Sequence, residues 1–347
     1  MADKSRFFGY LKKLFKDNFA FYLILCVISA TVAVLMAAST VTEISESGIV
    51  HASFPAPRFI GYIGLYCGGA SAIYSFARFK RRRNLDMLLS MPIGHKAVGA
   101  AHYIFGASST ALPIITAYSC NITAIVLNYG IEKIAVGWYI LHFGVVLCYS
   151  ILLYTLYVFV FNEANTLFDG CAFVFLWHNV FYFIMHARAK DSLNAHLLSP
   201  EKYLERVLFA TERQICGSDG DFAAELFGRT RVVLATVGWI GLGILAGVLF
   251  AVRFGKRQHE RAGEISTSIF GYNILIPLYA ITGSLFGIYS YYDTLGDPMD
   301  ITACLIFAFA AYWIFRRSVK FKIIDYCVLG FIVLLLITSC IKEISYM

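Results

Sequence analysis

The sequence predicts an all-α, polytopic integral membrane protein with about nine transmembrane helices. Hydrophobic residues make up 59% of the 347 positions and charged residues only 15%, so a soluble fold could not bury this much apolar surface. A helix needs about 20 apolar residues to cross a bilayer, and helices pair their own backbone groups in lipid. Nine stretches are long and apolar enough. We expect spans near 19–40, 59–78, 98–127, 136–161, 165–186, 231–252, 265–291, 299–315 and 322–341.

The loops between these stretches alternate in charge, which predicts the orientation of the chain. Most of the 29 lysines and arginines lie in the N-terminal segment and in the loops 78–96, 253–264 and 316–325. Basic loops stay on the cytoplasmic side, so we expect a cytoplasmic N-terminus and multi-pass insertion in the cell membrane. The formal net charge of +7 then reflects orientation and attraction to anionic membrane lipids, and not binding of nucleic acid.

Two segments outside the spans have helical patterns of their own. Residues 1–18 place aromatic residues and leucines on one face and lysines on the other, which predicts an interfacial amphipathic helix on the inner membrane surface. Residues 187–230 form the longest polar segment and should lie on the extracytoplasmic side. Ser199, Pro200 and Glu201 read there as a helix cap, a first-turn proline and a first-turn acid, so we expect a short helical pair.

The third apolar stretch contains Pro113, which removes one helical hydrogen bond and crowds the preceding turn. A kinked helix and a tight pair of shorter segments both fit this pattern. Two full crossings would place the basic loops 253–264 and 316–325 outside, against the charge rule. We therefore interpret the stretch as one crossing.

The sequence lacks the common motifs of membrane enzymes. No Gly-x-x-x-x-Gly-Lys-Ser/Thr phosphate-binding loop is present, so this chain cannot hydrolyse ATP with such a loop. A partner would have to supply it. The chain also lacks His-Glu-x-x-His, Gly-x-Ser-x-Gly and Cys-x-x-Cys, which mark many metal enzymes, proteases and lipases. We expect no enzymatic activity and no bound metal in this chain.

Four histidines are expected at membrane depth, where polar groups are costly and often functional. They are His102, His142, His178 and His186. They are scattered over three spans, and no carboxylate is spaced to complete a metal site. Hydrogen bonding between helices is the favoured interpretation.

Polar residues also crowd the junction of the fourth and fifth spans. Glu163, Asn165 and Asp169 lie there, where they could relay protons or cap a helix at the inner interface. Helix capping is the favoured interpretation.

The cytoplasmic coupling segment, residues 79–97, has the most specific pattern. We expect a short helix capped by Asn84 and ended by proline, with leucines on one face and basic residues before it. The candidate contact residues are Arg81, Arg82, Arg83, Leu85, Leu88, Leu89, Met91 and Pro92. Such an apolar knob could dock into a soluble partner. Alternatively, the segment only sets topology while its leucines rest on lipid, and spacing alone does not separate the two.

Short motifs favour docking. Leu89-Ser90-Met91-Pro92-Ile93 resembles the Ser-Leu-Pro-Ile/Val-x-Arg sequence of type-2 exporter-class ABC transporter permeases, with Met91 in place of Leu and His95-Lys96 near the expected Arg. The sequence Arg257-Gln258-His259-Glu260-Arg261-Ala262-Gly263 resembles their Arg-x-x-Glu-x-Ala-Gly element. Leu198-Ser199-Pro200 resembles the Ser-Pro start of the segment after the fifth span in some members.

The resemblance implies a permease domain over residues 19–347 in which the coupling segment engages an ABC ATP-binding subunit. Arg257, Glu260 and Gly263 would form a second cytoplasmic corner. ATP and Mg²⁺ would belong to that partner, and a second permease subunit, identical or related, would complete the transporter. We expect export or extraction of an amphipathic peptide, a lipid or a drug-like molecule.

The alternative is a stand-alone membrane enzyme, secondary carrier or sensor. It would use the histidine group His102, His142 and His178 or the carboxylates Glu163 and Asp169. Carriers often show broken helices in paired positions or a repeat between halves, and the sequence has no convincing internal repeat.

Overall fold

The computed structural model describes residues 2–38, 42–44, 50–52, 56–81, 84, 90, 92–129, 136–186, 230–254, 264, 266, 268–289, 298–317 and 321–346. Within these ranges the chain is helical apart from one small ribbon. The helices are α1 (Ala2–Asp17), α2 (Phe19–Ala38), α3 (Ala56–Phe76), α4 (His95–Tyr129), α5 (Val136–Glu163), α6 (Leu167–His186), α7 (Thr230–Phe254), α8 (Tyr272–Tyr289), α9 (Pro298–Arg316) and α10 (Ile323–Tyr346). The ribbon consists of β1 (Thr42–Ile44) and β2 (Val50–Ala52), paired antiparallel with Glu43 opposite His51.

The helices show a membrane-embedded protein. Five of those described, namely α2, α4, α5, α7 and α10, are long and apolar enough to cross a membrane, whereas the apolar parts of α8 and α9 are shorter. Each of the nine apolar stretches identified in the sequence overlaps one helix from α2 to α10. How many of them cross the bilayer stays a prediction.

The continuity of α4 and the start of α8 test two predictions from the sequence. Helix α4 runs without a break through Pro113, which agrees with a single segment and excludes a pair of shorter ones. The span predicted at 265–291 was placed too early, because α8 begins only at Tyr272. The chain before it turns instead of continuing as a helix, and the amide of Gly271 donates to the Ser268 carbonyl oxygen at 3.1 Å.

The described chain forms two compact units. Unit 1 comprises Met1–Asn162 and Glu201–Ala262, and α2 and α3 pack along the long helix α4 within it. Helix α1 also lies on α4. Leu14, Tyr22 and Phe105 form a buried cluster at this contact, where the Tyr22 hydroxyl donates to the Phe105 carbonyl oxygen at 2.9 Å. The apolar face of α1 is therefore covered in part by protein.

Unit 2 comprises Glu163–Pro200 and Gly263–Met347, with α8, α9 and α10 packed on one another and α6 beside α8. Its core side chains are Ile276, Ala280, Ile301, Ala308, Tyr312, Val328 and Ile332. A two-pronged ion pair holds the turn between α9 and α10. Arg316 Nε and Nη2 donate to Asp325 Oδ2 and Oδ1 at 3.0 and 3.1 Å, and the backbone amide of Lys322 donates to Asp325 Oδ2 at 3.0 Å.

Candidate functional site

The structure describes both ends of the coupling segment. It begins within a short 3-10 helix, Ala77–Lys80, and leads into α4. Arg81 and Pro92 are described and exposed. The other predicted contact residues lie outside the described residues, and so do Arg257, Glu260 and Gly263. The docking prediction therefore rests on how the ends are held.

Lys80 anchors the start of the coupling segment. It is 5% exposed, and its Nζ donates to the Phe161 carbonyl oxygen at 2.7 Å. That carbonyl belongs to the last turn of α5, where backbone oxygens lack helical partners and a cation is favoured. The ammonium also lies 4.7 Å from the centroid of the Phe161 ring. Lys80 thus joins the end of α3 to the end of α5.

Asn18, at the joint between α1 and α2, is a second anchor. It is buried, and its Oδ1 accepts from the Tyr74 hydroxyl at 2.9 Å and from Arg78 Nη2 at 3.0 Å. Its Nδ2 donates to the Leu14 carbonyl oxygen at 2.7 Å. These three hydrogen bonds fit a single orientation of the side-chain amide. Asn18 therefore links the α1–α2 joint to the end of α3.

His102 joins three helices. Its Nδ1 lies 2.7 Å from the Ser75 carbonyl oxygen, and because a carbonyl can only accept, Nδ1 carries the proton. In the neutral ring, Nε2 then accepts from the Tyr10 hydroxyl at 2.9 Å. Burial raises the pKa of Tyr10, and the positive charge of Arg78 opposes this rise. The phenol therefore stays protonated near neutral pH and serves as the donor.

Helix α1 also reaches the other end of the coupling segment. Arg6 Nη1 on α1 donates to the Pro92 carbonyl oxygen at 3.4 Å. The carbonyl oxygen of Gly94 accepts from the amides of Ala97 and Val98 at 2.8 and 3.1 Å, which begins α4. The amphipathic helix therefore contacts the rest of unit 1 near both ends of the segment.

An aromatic cluster closes this corner of unit 1. We call it the corner cluster, and its members are Phe76, Phe79, His102, Phe250 and Phe254. The centroids of the Phe79 and Phe254 rings are 5.4 Å apart and their planes meet at 82°, a favourable edge-to-face geometry. Phe254 is the last residue of α7, and the second motif begins three residues later in the sequence, outside the described residues.

Gly99 on α4 is required by this packing. A Cβ atom at Gly99 would lie 2.5 Å from Cδ1 of the Phe254 ring, closer than real side chains approach. The bare backbone at this position lets the start of α4 meet the end of α7. Gly99, Phe79 and Phe254 had no predicted role, and Lys80 was predicted only as one member of the basic run. Glycine and phenylalanine are common throughout the apolar stretches, and Lys80 resembles the other members of its basic run.

The junction residues of unit 2 hold the turn before α8. The Tyr272 hydroxyl donates to Asp169 Oδ1 at 2.7 Å, and the Glu163 carboxylate accepts from the Ser268 hydroxyl. A helix cap is present at this junction, and the neighbouring residue Thr166 provides it. The Asp169 amide donates to Thr166 Oγ1 at 3.0 Å, so the hydroxyl of Thr166 caps α6 while the two carboxylates bind the segment leading into α8.

The predicted hydrogen bonding between helices is confirmed for His102 and His142. His142 Nδ1 and the Tyr118 hydroxyl are 2.5 Å apart, and nearby Tyr139 donates to Asn121 Oδ1 at 2.9 Å. The side chain of His186 lies outside the described residues. Among the described side chains, no three His, Cys, Asp or Glu residues are grouped to hold a metal ion.

No protein-family model matches the chain, and the curated proteins contain no match to it. The geometry of the corner cluster and its anchors therefore carries the functional argument.

Proposed function

We propose that the chain is the membrane-spanning permease subunit of an ATP-driven ABC transporter of the type-2 exporter class. In this proposal it crosses the cell membrane nine times with its N-terminus in the cytoplasm. A separate ATP-binding subunit binds ATP and Mg²⁺ and hydrolyses the nucleotide. A second permease subunit, identical or related, completes a path for an amphipathic peptide, a lipid or a drug-like molecule.

The contact between Phe79 and Phe254 is the observation that carries this proposal. Phe79 lies at the start of the coupling segment, and Phe254 lies immediately before the second motif. The two motifs are far apart in the sequence, yet the residues that lead into them pack together. A partner that docks on the coupling segment would therefore also lie close to the end of α7, as we expect if both motifs belong to one docking surface.

The anchors around the segment support movement of helices as a group. Lys80 ties it to α5, Asn18 and Arg78 tie it to the α1–α2 joint, and His102 ties α3 to α1. Buried polar contacts are costly to break one at a time, so displacement of the segment would move the attached helix ends together. Rigid-body shifts of this kind are a common response to nucleotide-driven closure.

The charge near the segment suits an acidic docking surface. Arg78, Arg81 and Lys96 are exposed at its two ends. Complementary charge raises the rate of association and selects the correct partner. We expect the groove of the ATP-binding subunit to place carboxylates opposite these residues and apolar side chains opposite the leucines.

Co-purification tests the proposal. The chain is expressed with the ATP-binding subunit from an adjacent reading frame, and complex recovery is measured for the wild type and the double variant Leu88→Asp, Leu89→Asp. We expect the variant to insert in the membrane and lose the partner. Leu127→Asp makes the same leucine-to-aspartate change at an exposed position near the other end of α4, so it should retain the partner.

Unchanged recovery of the double variant would contradict the proposal. Transport of a substrate across the vesicle membrane by the purified chain alone, without ATP or a partner, would favour the secondary carrier instead.

A further inference from the structure

A cavity in unit 2 lies among α6, α8 and α9. Its volume is about 540 Å³, within the roughly 300–1,000 Å³ typical of ligand sites. We propose that this cavity binds one acyl chain of a membrane phospholipid. The inference needs only the membrane-embedded character of the protein, and it goes beyond the proposed transport function without depending on it.

The lining is apolar, and its polar groups are already engaged within the protein. The Tyr272 hydroxyl donates to Asp169 Oδ1 at 2.7 Å, and the Tyr279 hydroxyl donates to the Leu176 carbonyl oxygen at 2.5 Å. A polar ligand would have to break these bonds or leave its own groups unpaired, at a cost in free energy. Apolar cavities also exclude water. A hydrocarbon chain fills the space without either cost.

The open side of the cavity is apolar. Three large apolar residues of its lining are strongly exposed: Phe168 at 78%, Phe307 at 73% and Ile314 at 72%. On helices of a membrane-embedded protein, such exposed side chains lie against lipid tails. An acyl chain can therefore enter sideways from the membrane without crossing a polar surface, and it gains dispersion contacts with the walls.

Small side chains on facing helices create the space. Cys304, Ala308 and Ala311 line the cavity at intervals of four and three residues, which places them on one face of α9. Ala280 and Gly283 line it from α8. A Cβ atom at Gly283 would lie 3.1 Å from Cys304 Sγ, so the two helices are already in close contact there. The void is thus framed by helices that touch.

Photolabelling tests the inference with the full chain in phosphatidylcholine vesicles. The vesicles contain a trace of phosphatidylcholine with a diazirine at the end of one acyl chain, and labelled residues are mapped by mass spectrometry after irradiation. We expect labelling of the lining residues of α8 and α9 above that of Ile306, which is 62% exposed but does not line the cavity. A phosphatidylcholine with the diazirine on its headgroup should leave the lining unlabelled.

The double variant Ala308→Leu, Ala311→Leu fills the cavity. The two leucine side chains would occupy the space of the acyl chain, and binding the chain as well would overpack the cavity. Labelling of the lining should therefore fall about tenfold. Ala310→Leu adds the same side chain to α9 outside the lining and should leave labelling unchanged.

Equal labelling of the wild type and the double variant would overturn the inference. Labelling of the lining by the headgroup probe to the same extent as by the chain probe would also overturn it, because it would indicate a polar ligand. If the double variant fails to insert, Ala311→Leu alone serves: reduced labelling supports acyl-chain binding, and unchanged labelling contradicts it.

Discussion

Phe79 and Phe254 meet edge to face with ring centroids 5.4 Å apart. One ring lies at the start of the coupling segment and the other at the end of α7. This contact joins the start of the coupling segment to the end of α7 within unit 1.

Gly99→Ala tests the packing of that corner. The new methyl group would collide with the Phe254 ring, so we expect a loss of about 1–3 kcal/mol in the free energy of unfolding. Gly241→Ala on α7 is the matched control, since nothing lies within 4 Å of a Cβ atom there. That control should be neutral or stabilising by about 0.4–1 kcal/mol. Denaturation in detergent micelles measures both, and equal effects would count against the contact.

Lys80→Met tests the anchor between the coupling segment and α5. The variant keeps most of the apolar stem but leaves the Phe161 carbonyl without its ammonium donor. We expect a loss of about 1–3 kcal/mol in the free energy of unfolding. Lys96→Met changes an exposed lysine near the other end of the segment and should alter stability by about 0.5 kcal/mol or less. Thermal denaturation of the purified proteins compares them, and a neutral Lys80→Met would contradict the anchor.

Tyr10→Phe tests whether α1 is held on the other helices of unit 1 through His102. The variant retains the ring and removes only the hydroxyl that donates to Nε2. An unpaired buried nitrogen costs about 1–3 kcal/mol, so hydrogen exchange in α1 should speed up. Tyr66→Phe removes a hydroxyl from a residue that is 64% exposed and should leave exchange in α1 unchanged. Unaltered exchange in Tyr10→Phe would show that α1 is held by its apolar contacts alone.

Asp325→Asn tests the ion pair of unit 2. The change weakens both prongs to Arg316 and leaves a cation beside a side chain that is only 3% exposed. Breaking a buried pair from one side costs about 3–5 kcal/mol, whereas the exposed Asp17→Asn should be nearly neutral. Calorimetry in detergent distinguishes them. A small effect would mean that solvent replaces the carboxylate at this turn.

The helices were predictable from the sequence, but the contacts of the corner cluster were not. Length and hydropathy identify each of the helices α2 to α10 without reference to any contact. The length and apolar composition needed to cross a bilayer apply to each segment separately. The start of α8 was missed because Ser266 and Ser268 look permissive in a hydropathy window. Their hydroxyls bind Glu163, and this bond depends on a residue far away in the chain.

The same limit applies to the candidate site. The basic run and the leucines mark the coupling segment, but nothing local separates the buried Lys80 from the exposed Arg81. The role of Lys80 depends on the end of α5, and that of Phe254 depends on Gly99. Asp169 was interpreted as a capping residue because it lies at the junction of two spans, whereas its carboxylate accepts from Tyr272, which lies on another helix.

Site-specific photocross-linking tests the central claim most directly. A benzoylphenylalanine replaces Leu88 in the full chain, which is irradiated in membranes that also contain the ATP-binding subunit from the adjacent reading frame. The account predicts an adduct with that subunit whose yield changes when ATP is added, and no adduct when the same group replaces the exposed Leu127. Capture of lipid alone at position 88, with or without ATP, would contradict it.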